Sequence, residues 1–361
     1  MTFSVMQVLH QGGGAGSVTS TLHLSLGLAR VGVHVRFVCP PESEVETLAR
    51  QGGLEVHPLR LHARRPRTNA AALAAILGRH PVDLVNSQSS LDRQALAWLS
   101  LTHRLGRPLV VTRRQMPLTF YAENWLVSRA ATRVVAVSRA VGEALVRRGT
   151  PRRKLSVIHN GLVTERVDAP VSAAAIEEWK ARIAWEPSRR VVGIVARPKD
   201  QDVVIRALDA VQVPVRLVLA GIDSGAIGRL AAGVPERHAV VCLPFTPEVR
   251  PLYELLELVL LPSRMEGLSQ SLLEAMALAK PVIASAATGN LEVVHDGHNG
   301  RLVAPRDSGA WARALEELLG DSVVARRLGE AARVTAREEF SIQRTIEQTS
   351  ALYRAILGRS I

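Results

Sequence analysis

Residues Glu257 to Ser285 read ELVLLPSRMEGLSQSLLEAMALAKPVIAS, and this order of residue types leaves few folds open. Leu258 to Leu261 is a short apolar run ended by Pro262, which fits a strand buried on both faces of a parallel sheet. Ser263 to Gln270 is polar and broken by Gly267. Helical spacing begins near Ser271, with Leu272, Leu273, Met276 and Ala277 as its apolar positions. Lys280-Pro281 stops it, and Val282 to Ala284 starts a second strand. This is a βαβ crossover. In open α/β sheets the loop after the first strand lies at the carboxyl edge, where ligands bind.

Two carboxylates frame that loop, Glu266 on it and Glu274 about one turn into the helix. The backbone N–H groups of Gly267, Leu268 and Ser269, with the helix start behind them, form an anion site. A carboxylate beside it accepts hydrogen bonds from vicinal hydroxyls. Anion plus hydroxyls describes a sugar nucleotide. A second reading stands beside this one: Ser271-Leu272-Leu273-Glu274 is also a capping box, in which Glu274 only ties off the helix.

The phrase PSRMEGLSQSLLEAMALAKPVIAS, with Glu266 and Glu274 as its two acids, closely resembles the E-x7-E element of the GT-B glycosyltransferases. It is most similar to family 4 (glycosyl transferases group 1), the large retaining group that includes sucrose synthases, mannosyltransferases and bacterial lipopolysaccharide and exopolysaccharide enzymes. The resemblance implies an α/β fold of two Rossmann-like, doubly wound parallel-sheet domains facing a cleft. It implies transfer of a hexose-type sugar from a UDP- or GDP-linked donor to a glycan or lipid-linked acceptor. Retention at the anomeric carbon, no metal and no further cofactor are expected, in cell-surface polysaccharide or lipopolysaccharide-like synthesis. Glu266 then contacts the donor sugar and Glu274 the ribose.

The remainder of the chain carries further candidates. Phe3 to His10 reads as a first strand, followed by Gln11-Gly12-Gly13-Gly14-Ala15-Gly16-Ser17 and an apolar helix. The spacing is not G-x-G-x-x-G, so the loop alone is weak evidence of phosphate binding. In the resembled family such a loop lies close to donor phosphates and acceptor, which singles out Gly13, Gly14 and Gly16. A strand near Val82 to Val85 leads to Gln88, and one at Leu109 to Thr112 leads to Arg113 and Arg114. Many relatives carry a histidine near the latter place, and this chain does not. The two arginines are instead candidates to clamp a phosphate or carboxylate of the acceptor. Lys154 to Gly161, KLSVIHNG, resembles the family's hinge phrase, with His159 expected as a packed hinge residue. The domains are therefore expected at 1–163 and 164–340, with a terminal helix over 341–361 crossing back to the first domain.

Arg190 to Ala196 begins a second βα series and ends in Arg197-Pro198-Lys199-Asp200-Gln201-Asp202. The resemblance gives Arg197 and Lys199 the donor diphosphate, although Asp200 replaces the family glycine. Two cations there neutralise charge on the leaving group. Asp200-Gln201-Asp202 is formally Asp-x-Asp, but it opens a helix, and capping with dipole compensation is the expected role. Thr288-Gly289-Asn290 and Glu292 form a loop near the nucleotide in relatives. Asp296 to Gly300 reads as a tight hairpin turn.

Bulk properties narrow the alternatives. The chain of 361 residues suits two domains, and 47% hydrophobic residues are ample for packed cores. Cys39 and Cys242, expected as buried inert thiols, exclude a disulfide framework and a four-thiolate metal site. No run of about 18 apolar residues spans a bilayer. The first residues lack the basic and apolar regions of a secretory signal. A cytoplasmic protein is expected. The net charge of +12 favours anionic partners, among them an acidic membrane surface met peripherally. The densest basic run, Arg60 to Arg67, reads as a loop. Few aromatics are available to stack bases, so nucleic acid is not expected as a partner. Two alternatives to an enzyme remain: a non-catalytic nucleotide-sugar binder, and a basic nucleic-acid-binding protein.

Overall fold

The computed structural model describes residues 3–13, 16–117, 120–223, 225, 227–246 and 248–359. It divides into two units, Met1–Gly161 with Ile342–Ile361, and Leu162–Ser341.

The first unit holds a seven-stranded parallel sheet. Its strands are β1 (Ser4–Val8), β2 (His34–Cys39), β3 (Glu55–Pro58), β4 (Leu84–Ser87), β5 (Leu109–Arg113), β6 (Arg133–Ala136) and β7 (Leu155–Val157), in the order β3-β2-β1-β4-β5-β6-β7. Strands this apolar form because helices cover both faces, and alternate residues go to opposite sides. Met6, Val8, Val85 and Val111 pack on one side. Val5, Phe37, Leu84 and Val110 pack on the other. The helix Ile342–Ile356 completes this second layer through Ile346 and Tyr353. Tyr353 stands edge-on to Phe3 at 6.3 Å between ring centroids. Its hydroxyl accepts hydrogen bonds from Gln7 Nε2 at 3.1 Å and Asn86 Nδ2 at 2.6 Å.

The second unit holds a six-stranded parallel sheet. It comprises β8 (Arg190–Val195), β9 (Val215–Ala220), β10 (Ala239–Leu243), β11 (Leu258–Leu261), β12 (Val282–Ser285) and β13 (Arg301–Val303), in the order β10-β9-β8-β11-β12-β13. The same alternation holds. Val191, Val218, Val259 and Val282 pack on one face, and Val192, Leu217, Leu258 and Ile283 on the other. In each sheet the winding reverses beside the first strand. β1 pairs with β2 and β4, and β8 pairs with β9 and β11. These reversals are the switch points at which doubly wound sheets bind ligands.

Several expectations need correction. Strands β3 and β13 were not foreseen. Asp296 to Gly300 forms a turn, with Gly297 at φ +72° and its N–H donating to Gly300 O at 2.9 Å. No hairpin follows, because β13 pairs parallel to β12. Arg60 to Arg65 is loop, but Pro66 opens a helix, Pro66–Arg79, at a position where its missing N–H costs nothing. Cys39 is buried, and burial pushes its thiol up to about 12. Cys242 is half-buried on the edge strand β10 rather than enclosed, and burial raises its thiol as well.

Candidate functional site

At the switch point of the second unit, the loops after β8 and β11 leave from neighbouring carboxyl ends. The first is shaped by Gln201, whose Oε1 accepts from Lys199 N at 2.5 Å while its Nε2 donates to Arg197 O at 2.8 Å. Asp200 ties the two loops together, accepting from Arg264 N at 3.1 Å and Arg264 Nε at 2.8 Å. Beside this bond Lys199 and Glu266 form an ion pair. Burial, then the adjacent Arg197, hold the Lys199 ammonium down at about 8, against the pull of Asp200. Arg197 is exposed.

The turn Thr288-Gly289 backs the second loop and leads into a short helix, Asn290–Val293, where a loop through Glu292 was expected. Thr288 Oγ1 accepts from Glu266 N at 2.9 Å, and Gly289 N donates to Glu266 O at 3.3 Å. A Cβ on Gly289 would fall 1.9 Å from Gly267 O, so only glycine permits this approach. Asn290 Nδ2 donates to Ser285 O at 3.0 Å and Ser263 O at 3.3 Å, and Ser285 Oγ donates to Pro262 O at 2.8 Å. Gly267 and Leu268 are buried and Ser269 is half-buried. Among the described residues no acceptor takes the N–H of any of these three. The structure thus brings together Lys199, Glu266 and the Gly267–Ser269 backbone.

Glu274 is not a helix cap. The helix spans Gln270–Ala277, and its N-cap is Ser269, whose Oγ accepts from Leu272 N at 3.4 Å. This removes the capping-box reading of Ser271 and Glu274. The Glu274 carboxylate accepts from the Tyr253 hydroxyl at 3.2 Å. Burial raises its pKa, against the influence of Arg166 and of the Tyr253 hydrogen bond. Asp200 also departs from expectation. It occupies the N-cap position of the helix Gln201–Ala207, but its side chain makes no cap bond and is taken up by Arg264. Asp202 lies 3.8 Å from Arg206. The two carboxylates of the Asp-x-Asp therefore serve different cations rather than converging on one ion.

In the first unit, the loop after β1 packs against the start of the helix Glu44–Gln51. Gly12 O accepts from Val45 N at 3.2 Å, and a Cβ on Gly13 would meet Glu44 Oε2 at 2.9 Å. Gly14 lies outside the described residues. Gly16 opens the helix Gly16–Arg30, and its carbonyl accepts from Ser20 Oγ at 2.7 Å. Gln88 follows β4 and is buried. Its Nε2 donates to Gln7 Oε1 at 2.6 Å, and its Oε1 accepts from Arg114 Nη2 at 2.9 Å. Arg114 Nη1 donates to Asn160 Oδ1.

Arg113 and Arg114 do not form one clamp. Successive residues at a strand end point to opposite faces. Arg113 is buried and donates to Asn124 Oδ1 at 2.8 Å. Burial, then nearby Arg93, hold its guanidinium down at about 9, against the pull of Glu123. Sequence reasoning also passed over Asp92. It accepts from Ser87 Oγ, Gln88 N and Ser89 N at 2.8–2.9 Å, faces His10 Nδ1 at 3.2 Å, and so fixes the loop that carries Gln88. Burial pushes its carboxyl up, but hydrogen bonds from His10 and Ser89 outweigh this and hold it below the ordinary range. The signal was present as Ser89-Ser90-Leu91-Asp92, a capping box that the structure shows closed.

Among the described residues one group of metal-ligand types converges, Glu55, His57 and His80. It lies at the β3 edge of the first sheet, away from that sheet's switch point between β1 and β4, and Arg36 Nε already donates to both Glu55 oxygens at 2.9 and 3.1 Å.

Two doubly wound parallel-sheet units on one chain make the GT-B fold. Residues 14–166 match the family model described as Glycosyltransferase Family 4, and residues 189–321 match the model described as Glycosyl transferases group 1. Together with the fold, these matches support a GT-B glycosyltransferase. The chain is 30% identical over 188 residues to the lipopolysaccharide core biosynthesis mannosyltransferase LpcC of Rhizobium leguminosarum bv. viciae, covering 48% of this chain and 53% of that protein. It is 28% identical over 307 residues to the D-inositol 3-phosphate glycosyltransferase of Mycobacterium marinum, covering 76% of this chain and 64% of that protein. The matched stretches thus span less than two thirds of either relative. The crystal structure of Anabaena HepE in complex with UDP and glucose superposes with a TM-score of 0.82 at 20% identity, covering 98% of this chain and 100% of that one. Among the described residues no helix is long and apolar enough to cross a membrane.

Proposed function

We propose that this chain is a retaining glycosyltransferase that moves a hexose-type sugar from a UDP- or GDP-linked donor to a glycan or lipid-linked acceptor. The observation that carries this reading is the meeting of Lys199, Glu266 and the unclaimed N–H groups of Gly267–Ser269 at the switch point of the second sheet. An anionic diphosphate takes Lys199 and Arg197 as partners, which releases Glu266 to accept from sugar hydroxyls. Glu274, whose carboxylate accepts from the Tyr253 hydroxyl, is the group proposed to accept from the ribose. The HepE complex with UDP and glucose supports a uridine donor, and the LpcC relative supports surface-glycan synthesis.

The rate then comes from orientation and from cations that stabilise the departing diphosphate, so no metal is required. Chelator should leave turnover unchanged. The first unit takes the acceptor, with Gly16, Gln88 and Arg114 as its candidate groups. Peripheral contact with an acidic membrane is consistent with the exposed arginines from Arg60 to Arg67 and the exposed Phe120, Tyr121 and Trp125. Salt-sensitive sedimentation with acidic liposomes tests it.

The deciding experiment is thermal-shift screening against UDP, GDP, ADP and their sugars, followed by transfer and donor hydrolysis with the stabilising donor. Transfer with an unchanged anomeric configuration, read by proton NMR, is expected. Stabilisation without transfer or hydrolysis would favour a non-catalytic binder, and indifference to every nucleotide would end the proposal. Steeply salt-dependent binding to RNA or DNA instead would point to a nucleic-acid-binding protein.

A further inference from the structure

The donor reading leaves Arg114 without an assigned ligand. This arginine follows β5 and is half-buried. Its fork is aimed by two amide oxygens, Asn160 Oδ1 and Gln88 Oε1. Each amide is itself fixed. Gln88 Nε2 donates to Gln7 Oε1 at 2.6 Å, and Asn160 Nδ2 donates to Ser20 Oγ at 2.7 Å. Gln7 in turn donates to Tyr353, so Gln88 belongs to a buried network rooted in β1, β4 and the helix Ile342–Ile356, while Asn160 is held by the helix Gly16–Arg30.

These partners orient the guanidinium without neutralising it. Two of its five N–H bonds are used, and Nε is buried with no partner. Among the described residues no carboxylate pairs with it, whereas Lys199 has Glu266, and Arg113 next door has Glu123 in its field. A cation removed from water with only neutral partners is costly unless an anion completes its shell. The fork geometry selects planar or tetrahedral oxyanions that accept two parallel N–H bonds.

We infer that Arg114, aimed by Gln88 and Asn160, is the anion subsite of the first unit and receives a carboxylate or phosphate borne by the sugar or polyol acceptor. The inference rests on the proposed function only in calling that ligand an acceptor.

Isothermal titration calorimetry on the whole chain tests it, with UDP at saturation so that Arg197 and Lys199 do not contribute. The probes are glucose, glucuronate and glucose 6-phosphate. Wild type should bind one charged probe about tenfold more tightly than glucose, and Arg114→Gln should abolish the preference. Arg114→Lys should keep part of it, since the charge remains and the fork is lost. Gln88→Leu should weaken the charged probe without any change in net charge. Comparing the two charged probes separates carboxylate from phosphate recognition. Equal or absent binding of charged and neutral probes to wild type, or a preference that survives Arg114→Gln, would overturn the inference. A separate UDP titration keeps the two readings apart. A charge preference without UDP binding sinks the donor reading alone, and UDP binding without the preference sinks this one alone.

Discussion

Lys199 and Glu266 come from loops 67 residues apart and close an ion pair at the point where the second sheet reverses its winding. An anion entering there competes with Glu266 for the ammonium. Lys199→Ala should lower turnover by about 10²–10³-fold while moving unfolding free energy by less than about 1 kcal/mol, because the side chain is partly exposed. Steady-state kinetics beside thermal unfolding checks both halves. Near-wild-type transfer would remove Lys199 from the site.

The depressed ammonium gives a pH signature. Burial and Arg197 bring Lys199 to about 8, so above that pH the free protein loses a charge that the diphosphate needs. UDP binding then takes up a proton, and Kd should rise with pH above about 8, approaching tenfold per pH unit. Lys199→Arg should flatten the profile. A wild-type profile flat to pH 9.5 would show that this ammonium is not a diphosphate partner.

Glu274 should trade stability for binding. Its folded pKa is raised above the ordinary 4.5 by burial. A raised acid stabilises the fold below its unfolded pKa and loses that contribution as pH climbs through its folded value. At neutral pH the ionised carboxylate is therefore a cost. Glu274→Gln should leave Tm unchanged or higher at pH 7.5 while weakening UDP-sugar binding about tenfold. A marked fall in Tm with intact binding would make Glu274 a structural acid.

Gly289 tests whether the cradle depends on the approach of the Thr288-Gly289 turn. A Cβ there meets Gly267 O at 1.9 Å, so Gly289→Ala must push the Glu266–Ser269 backbone aside. The expected cost is about 1–3 kcal/mol together with loss of UDP binding. Gly228→Ala, where a Cβ meets nothing within 4 Å, serves as the control. Urea unfolding and UDP titration on both variants read the difference.

Tyr353→Phe leaves two buried donors, Gln7 Nε2 and Asn86 Nδ2, without their acceptor. A loss of about 1–3 kcal/mol is expected, with amide exchange accelerated first in β1 and β4. Exchange that quickens uniformly through both sheets would contradict a role confined to the first unit.

Sequence reasoning found most readily the strands whose apolar runs are continuous, such as Val191–Ile194 and Leu258–Leu261, because a parallel strand covered on both faces needs no polar alternation. The two it missed, β3 and β13, are edge strands of four and three residues that owe their conformation to a single neighbour. Local pattern cannot supply that neighbour. The cap was misassigned for a related reason. Ser269 and Ser271 both offer a hydroxyl, and only the path of the incoming loop decides between them. Glu274 could be singled out by spacing, but its partner Tyr253 lies 21 residues upstream with no motif linking them. The divergence of Arg113 and Arg114 was legible in principle, since adjacent residues at a strand end cannot share a face.

The helix Ile342–Ile356 belongs to the unit whose first strand is made more than three hundred residues earlier, and Tyr353 joins it to Gln7 across 346 positions. On the ribosome, the first sheet must therefore wait, one helix short of its second layer, while the whole of the second unit is synthesised and free to fold. The half of the protein that is translated first is the half that matures last.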